Sequence, residues 1–239
     1  MVVTTTTFSG FRPEAIDFLA ELAVNNDREW FTPRKADYER LLKGPMEALV
    51  AALAEGLAAR AIPLLADPKR SIFRIYRDTR FSKDKSPYKT NLGATFPWLT
   101  RTRGGDAIVA ESSAHANGGY FSFQPGEMYV GGGMWRPEKA RLDAFRRAIV
   151  DEPDRVRAAL EDPGFVAAFG SISTFEQLKR VPPGFPVDGP MADLLRYKDV
   201  IFMRHLSDDE VLSPSLPDIL ADSYAAGMPV FRFLDTIRS

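Results

Sequence analysis

The sequence contains no cysteine. A disulfide, a thiol nucleophile and a thiolate metal site are therefore excluded, and a reducing cytoplasm is the expected compartment. Histidine is nearly as scarce: His115 and His205 alone, which with no cysteine cannot build a histidine-rich zinc site. No apolar run approaches the roughly 18 residues of a membrane span, so no membrane partner is expected. The opening MVVTTTTFSG lacks a basic stretch followed by an apolar one, which argues against a signal peptide. Also missing are the serine-elbow pattern G-x-S-x-G and the phosphate-loop patterns G-x-x-x-x-G-K-[ST] and G-x-G-x-x-G. Internal repeats and low-complexity linkers are absent too.

What is present is a chain of 239 residues, 45% hydrophobic, with a formal net charge of −1. That is enough apolar material for a substantial core. Near-neutrality argues against a generic nucleic-acid coat protein. The charge is unevenly spread, however. Residues 69–103 carry ten basic residues against Asp78 and Asp84 alone, a local excess of +8. Such a segment creates a positive field even on a nearly neutral molecule.

The first third reads as helical. Pro13 suits a first helical position, and Ile16, Leu19, Ala20 and Ala23 recur at helical spacing. Asn25-Asn26-Asp27 is a stop, Thr32-Pro33 the next start, and Gly44-Pro45 a break or kink before the stripe Met46, Leu49, Val50, Leu53 and Leu57. The middle reads as β, with strands expected at 71–76, 94–98 and 107–112. A hairpin is expected over 118–133, turning at Gln124-Pro125-Gly126-Glu127, where Pro-Gly is the type II turn signature. Helices return from Pro137, a last strand is expected at 197–203, and Ser207–Glu210 matches a capping box. Helical segments at about 216–226 and 229–237 close the chain. Strands joined by turns argue for antiparallel pairing. The expectation is one α+β domain over 1–239: helical over 11–60, mainly β over 70–133, mainly helical over 137–239. Its central antiparallel sheet is packed by helices from both termini.

The chemistry concentrates in RIYRDTRFSKDKSPYKTN, residues 74–91. Arginine stays charged and presents a planar fork of donors that fits phosphate or carboxylate. Along a strand, Arg74, Tyr76, Asp78 and Arg80 share one face and Arg77 takes the other. Several arginines this close repel unless something anionic lies among them. That partner is either a ligand or the carboxylates of an internal salt-bridge network, and the residues allow both readings. Lys83, Lys85 and Lys89 follow on a loop, with Lys83 read as solvated. Tyr88 either stacks on a ligand or anchors the loop in the core. Gly131-Gly132-Gly133 before Pro137 suggests strand, glycine turn, helix, where backbone N–H groups receive an anion; the plain alternative is close packing under Trp135. A magnesium ion held by Asp78, Asp84 or Glu111 is conceivable, but no spacing singles these out. His115 is either a general base or a hydrogen-bonded strand-end residue. The link NNDREWF (25–31) reads as a helix cap followed by aromatics plugging the core.

Arg74, Arg77, Asp78, Arg80 and Phe81, then Asp84, Lys85 and Tyr88, match R-x-x-R-D-x-R-F followed by [DN]-K-x-x-Y. With NNDREWF, GGGMW-x-P and LLRYKD, they make the chain resemble a mainly bacterial family, domain of unknown function 2461. The resemblance spans nearly the whole chain but brings no activity, cofactor or substrate with it. The residue chemistry alone therefore sets the functional expectation. It is an anionic, phosphate-bearing ligand, small molecule or nucleic acid, held by Arg74, Arg77, Arg80, Lys85 and Tyr88, with Gly132 and Gly133 completing the site. If the site is catalytic, phosphoryl or phosphodiester chemistry fits, with arginines stabilising developing charge and Asp78 or Asp84 as acid, base or metal ligand. The competing expectation is a non-catalytic structural or interaction protein with the arginines paired internally. No motif names a cofactor or a protein partner.

Overall fold

Two strands, β4 (Gly118–Phe123) and β5 (Tyr129–Met134), form the hairpin at the centre of the fold. Gly126 sits at φ +74°, and the Glu127 N–H donates to the Gln124 carbonyl at 2.9 Å, closing the turn that Pro125-Gly126 announces. β1 (Leu92–Pro97) flanks β4 and β6 (Val200–His205) flanks β5, giving a four-stranded antiparallel sheet in the order β1-β4-β5-β6. A separate antiparallel pair joins β2 (Leu99–Arg101) and β3 (Ala107–Val109). The computed structural model describes residues 7–80, 82–101, 107–109 and 117–237. His115, Glu111, Phe81 and the last part of the strand expected at 107–112 lie outside them.

Helices occupy both ends, so the fold is α+β with its antiparallel sheet from the middle of the chain. α1 (Pro13–Val24) starts at Pro13 and ends at Asn25. The next helix starts earlier than Thr32-Pro33 suggests. Asp27 caps α2 (Arg28–Phe31) by accepting the Trp30 N–H at 2.8 Å, a full side-chain cap that outcompetes the weaker Thr-Pro signal. The chain then stays helical through α3 (Lys35–Tyr38) into α4 (Gly44–Ala59). Gly44-Pro45 does not break it. Pro45 has no N–H to give, and the preceding turn widens so that the Gly44 N–H donates to Glu39, five residues back. After the sheet come α5 (Lys139–Asp151), α6 (Pro153–Leu160) and α7 (Pro163–Phe169). Beyond β6 lie α8 (Asp208–Leu212), α9 (Leu216–Ala226) and α10 (Met228–Thr236), with Ser207 and Glu210 forming the full capping box.

The sheet has two unlike faces. Phe121, Phe123, Val130, Met134, Phe96 and Phe202 point into the core. There α9 and α10 press closely on the hairpin, and Gly132 is what admits them: a Cβ there would lie 2.4 Å from the Phe231 ring. The N-terminal side joins the same core through Phe11, whose ring lies 4.8 Å from that of Phe123. The opposite face carries Thr95, Tyr120, Ser122 and Tyr129 between glycines. Both sheet edges are covered. Residues 71–73 pair with β1, where the Phe73 N–H donates to Gly93 at 2.9 Å. Ser173 exchanges two hydrogen bonds with Ile201 on β6.

Candidate functional site

The segment 71–77 is not the regular strand its composition suggests. It makes single bridges, Ile72 to Ala94 and then Tyr76 to Tyr88, because the chain leaves β1 after Phe73 and folds back on itself. The Arg77 N–H donates to Pro87 and the Lys89 N–H to Ile75. The strand-like alternation survives, however: Arg74, Tyr76, Asp78 and Arg80 are exposed while Ile75 is buried.

Two of the arginines meet carboxylates within the segment. Arg80 holds Asp78 bidentately, at 3.0 and 2.7 Å, and Arg77 is ion-paired with Asp84. Hydrogen bonds from Arg80 pull Asp78 down to about 2, and those from Arg77 and Ser86 hold Asp84 lower still. A carboxylate shifted in that direction is a weak base near neutrality. Lys85 spends its ammonium on the Thr79 carbonyl at 2.9 Å. Tyr88 is a core residue rather than a surface platform: its ring stacks on Phe31 at 4.1 Å. Asn26 grips its backbone from both sides, donating to the Tyr88 carbonyl and accepting its N–H, each at 3.0 Å. The NNDREWF link thus fastens the basic segment to the first helices.

The glycines are also differently placed. Gly131–Gly133 lie inside β5, paired on both sides, and not in a turn before a helix. Gly132 faces the core, and Gly133 adopts φ +111° on the opposite face. Of the two readings the run allows, an anion-receiving turn and close packing, it is the second that fits these positions. Here glycine lets strands and helices approach closely.

What the tertiary structure builds instead is a cleft of about 380 Å³ over the sheet's uncovered face. One end is polar. Lys89 is half-buried with its Nζ 4.8 Å from the centre of the Phe73 ring, and Asn91 donates to Ser122. Tyr120 and Tyr129 stand beside them, rings 5.6 Å apart. Burial first, and then neighbouring Tyr120, push Tyr129 up to about 12, so it stays a neutral hydroxyl. Burial, followed by the charge of Arg74, lowers the Lys89 pKa. Neither Lys89 nor exposed Arg74 makes an ion pair among the described residues. The other end is apolar: Trp135, Phe175, Ile201 and Met203 around a floor at Gly131 and Gly133. Lys89 was legible only as one loop cation among three. The alternation Tyr120, Ser122 and Tyr129, Gly131, Gly133 was the signal for the rest.

Two cations further along the chain are also ion-paired: Arg196 with Asp193 and Lys198 with Glu176. Among the described residues no cluster of three His, Asp or Glu could hold a metal, and no helix is long and apolar enough to cross a membrane.

These features define an α+β protein whose four-stranded antiparallel sheet is covered by helices on one face and opens into an amphipathic cleft on the other. A family model described as "Conserved hypothetical protein (DUF2461)" matches residues 14–233, and the chain belongs to that family. Comparison with curated proteins and with solved structures returns no match.

Proposed function

We propose that the protein binds a small anionic, phosphate-bearing molecule in the cleft, with the anion at the Lys89 end and an apolar body along the glycine floor. One observation carries this reading: a partly desolvated lysine without an ion pair, at the polar end of an otherwise apolar cavity, with exposed Arg74 close enough to add to its field. A cation held that way gains most from an incoming charge, because the alternative is burial without compensation. The volume lies within the usual range for small-molecule sites. In this reading Arg74 keeps its expected ligand-binding role and Lys89 joins it, while Arg77 and Arg80 do not. A second reading applies to Arg77 and Arg80 themselves: their pairing with Asp84 and Asp78 favours a structural role in shaping the loop.

Calorimetric titration with octyl phosphate tests the first reading. Lys89→Met and Arg74→Ala should each weaken binding about tenfold or more, the usual scale for a charge-assisted contact. Lys83→Met, a loop lysine outside the cleft, should not. Equal affinity in wild type and Lys89→Met would sink the proposal.

A further inference from the structure

The apolar end of the cleft differs from an ordinary hydrophobic pocket in two ways. Its wall includes two aromatic side chains that are partly in solvent, Trp135 at 41% and Phe175 at 62% exposure. Its floor is bare ladder. At the row Pro97, Gly118, Gly133 and Ile201, and again at Gly131, glycine leaves the backbone without a side chain above it. A flat floor beside an exposed phenyl ring and a partly exposed indole suits a flat ligand.

The two aromatics are also held in place from one point. Asp199, buried at the start of β6, accepts the Arg136 N–H on Oδ1 at 2.7 Å and donates its own N–H to Thr174 Oγ1 at 3.1 Å. Arg136 follows Trp135, takes the left-handed conformation at φ +46°, and lays its guanidinium 4.9 Å from the indole ring centre. Thr174 precedes Phe175. A non-glycine residue kept at positive φ by a buried carboxylate points to a shape the fold works to keep. From the row of Gly93 to the row of Pro97 the strand covers about 13 Å, room for a ring system at one end and a phosphate at the other.

We infer that the cleft takes a planar, unsaturated ring system carrying one phosphate, the chemistry of a nucleoside monophosphate, with the ring at Trp135 and Phe175 and the phosphate toward Lys89. This rests on the reading that the cleft binds an anion. The floor N–H and C=O groups at Gly131 are committed to the ladder, so ring recognition comes from faces rather than edges, and tolerance among bases follows.

The test titrates the full chain with adenosine monophosphate, 2-naphthyl phosphate, octyl phosphate and inorganic phosphate, using wild type, Trp135→Leu, Phe175→Leu and Lys89→Met. Both aromatic positions are exposed, so these variants should keep the wild-type melting temperature, and that is measured first. The expected result is that both ring phosphates bind on the order of tenfold tighter than octyl phosphate. Each aromatic substitution should cost the ring ligands on the order of tenfold and leave octyl phosphate unchanged. If octyl phosphate binds as tightly as the ring ligands, with Lys89→Met weakening both, the ring inference is wrong and the anion reading stands. If no phosphate binds in a Lys89-dependent way, both fall.

Discussion

Removing the side chain of Asn26 should loosen the basic segment from the helices without touching the cleft. Asn26 makes two hydrogen bonds, both 3.0 Å and both to the backbone of Tyr88, 62 residues away. The bridge between Tyr76 and Tyr88 does not take over these groups. Around it the ladder bonds run from Arg77 to Pro87 and from Lys89 to Ile75, leaving the Tyr88 N–H and carbonyl to Asn26. Asn26→Ala therefore orphans a donor and an acceptor next to a buried ring. At ~1 kcal/mol per bond the loss is about 2 kcal/mol. For a chain of this length that lowers the melting temperature by roughly 4–8 °C. Asn26→Asp keeps the acceptor and loses the donor, so it should fall between. Thermal and urea unfolding give the stability, and hydrogen exchange should show faster exchange at the Tyr88 amide. An Asn26→Ala protein melting within about 1 °C of wild type, with the Tyr88 amide still protected, would refute the idea that this link fastens the segment.

Three further outcomes follow from the geometry. Gly132→Ala places a methyl 2.4 Å from Phe231 and 2.7 Å from the Gly118 carbonyl, and should destabilise by about 1–3 kcal/mol or more by overpacking, read as a lower urea midpoint. Asp78 is lowered to about 2 by Arg80, so its contribution to stability is complete above the ordinary carboxylate value of about 3.9 and is lost as pH falls towards 2. Asp78→Asn should accordingly be less stable than wild type above pH ~4, with the gap closing on acidification; a gap independent of pH contradicts the ion pair. Lys89 is shifted the other way for a cation: its folded pKa is lowered, so between that value and the ordinary one of about 10.4 the unfolded chain holds more protons and stability rises with pH. A bound anion opposes the shift. Phosphate affinity should therefore fall as pH climbs through the lowered Lys89 value, a dependence that Lys89→Met removes.

The hairpin turn at Pro125-Gly126, the capping box at Ser207 and the helix start at Pro13 were legible because each is decided by residues within a few positions of one another. The same holds for the α+β class, which follows from the order of helical and strand-like patterns along the chain, and for the outward alternation of Arg74, Tyr76, Asp78 and Arg80. The glycine run left two readings open for a local reason too. Glycine permits a turn, but it equally permits close approach, and only the neighbouring strands and Phe231 select between them.

The sequence by itself determined the α+β class, most of the elements, the family and the place where positive charge accumulates, since composition and short-range pattern carry these. Tertiary structure alone decided which cations are spent and which are free. Arg77 and Arg80 find carboxylates once the chain folds back, Tyr88 turns inward onto Phe31, and Lys89 arrives over the sheet's open face. It also decided that Trp135, Phe175 and Asp199, from three separate stretches, meet at one end of a cleft. The physical reason is register. Whether a residue of β4, β5 or β6 faces the core or the cleft is set by pairing between strands as distant as 129–134 and 200–205, and no local pattern encodes that pairing.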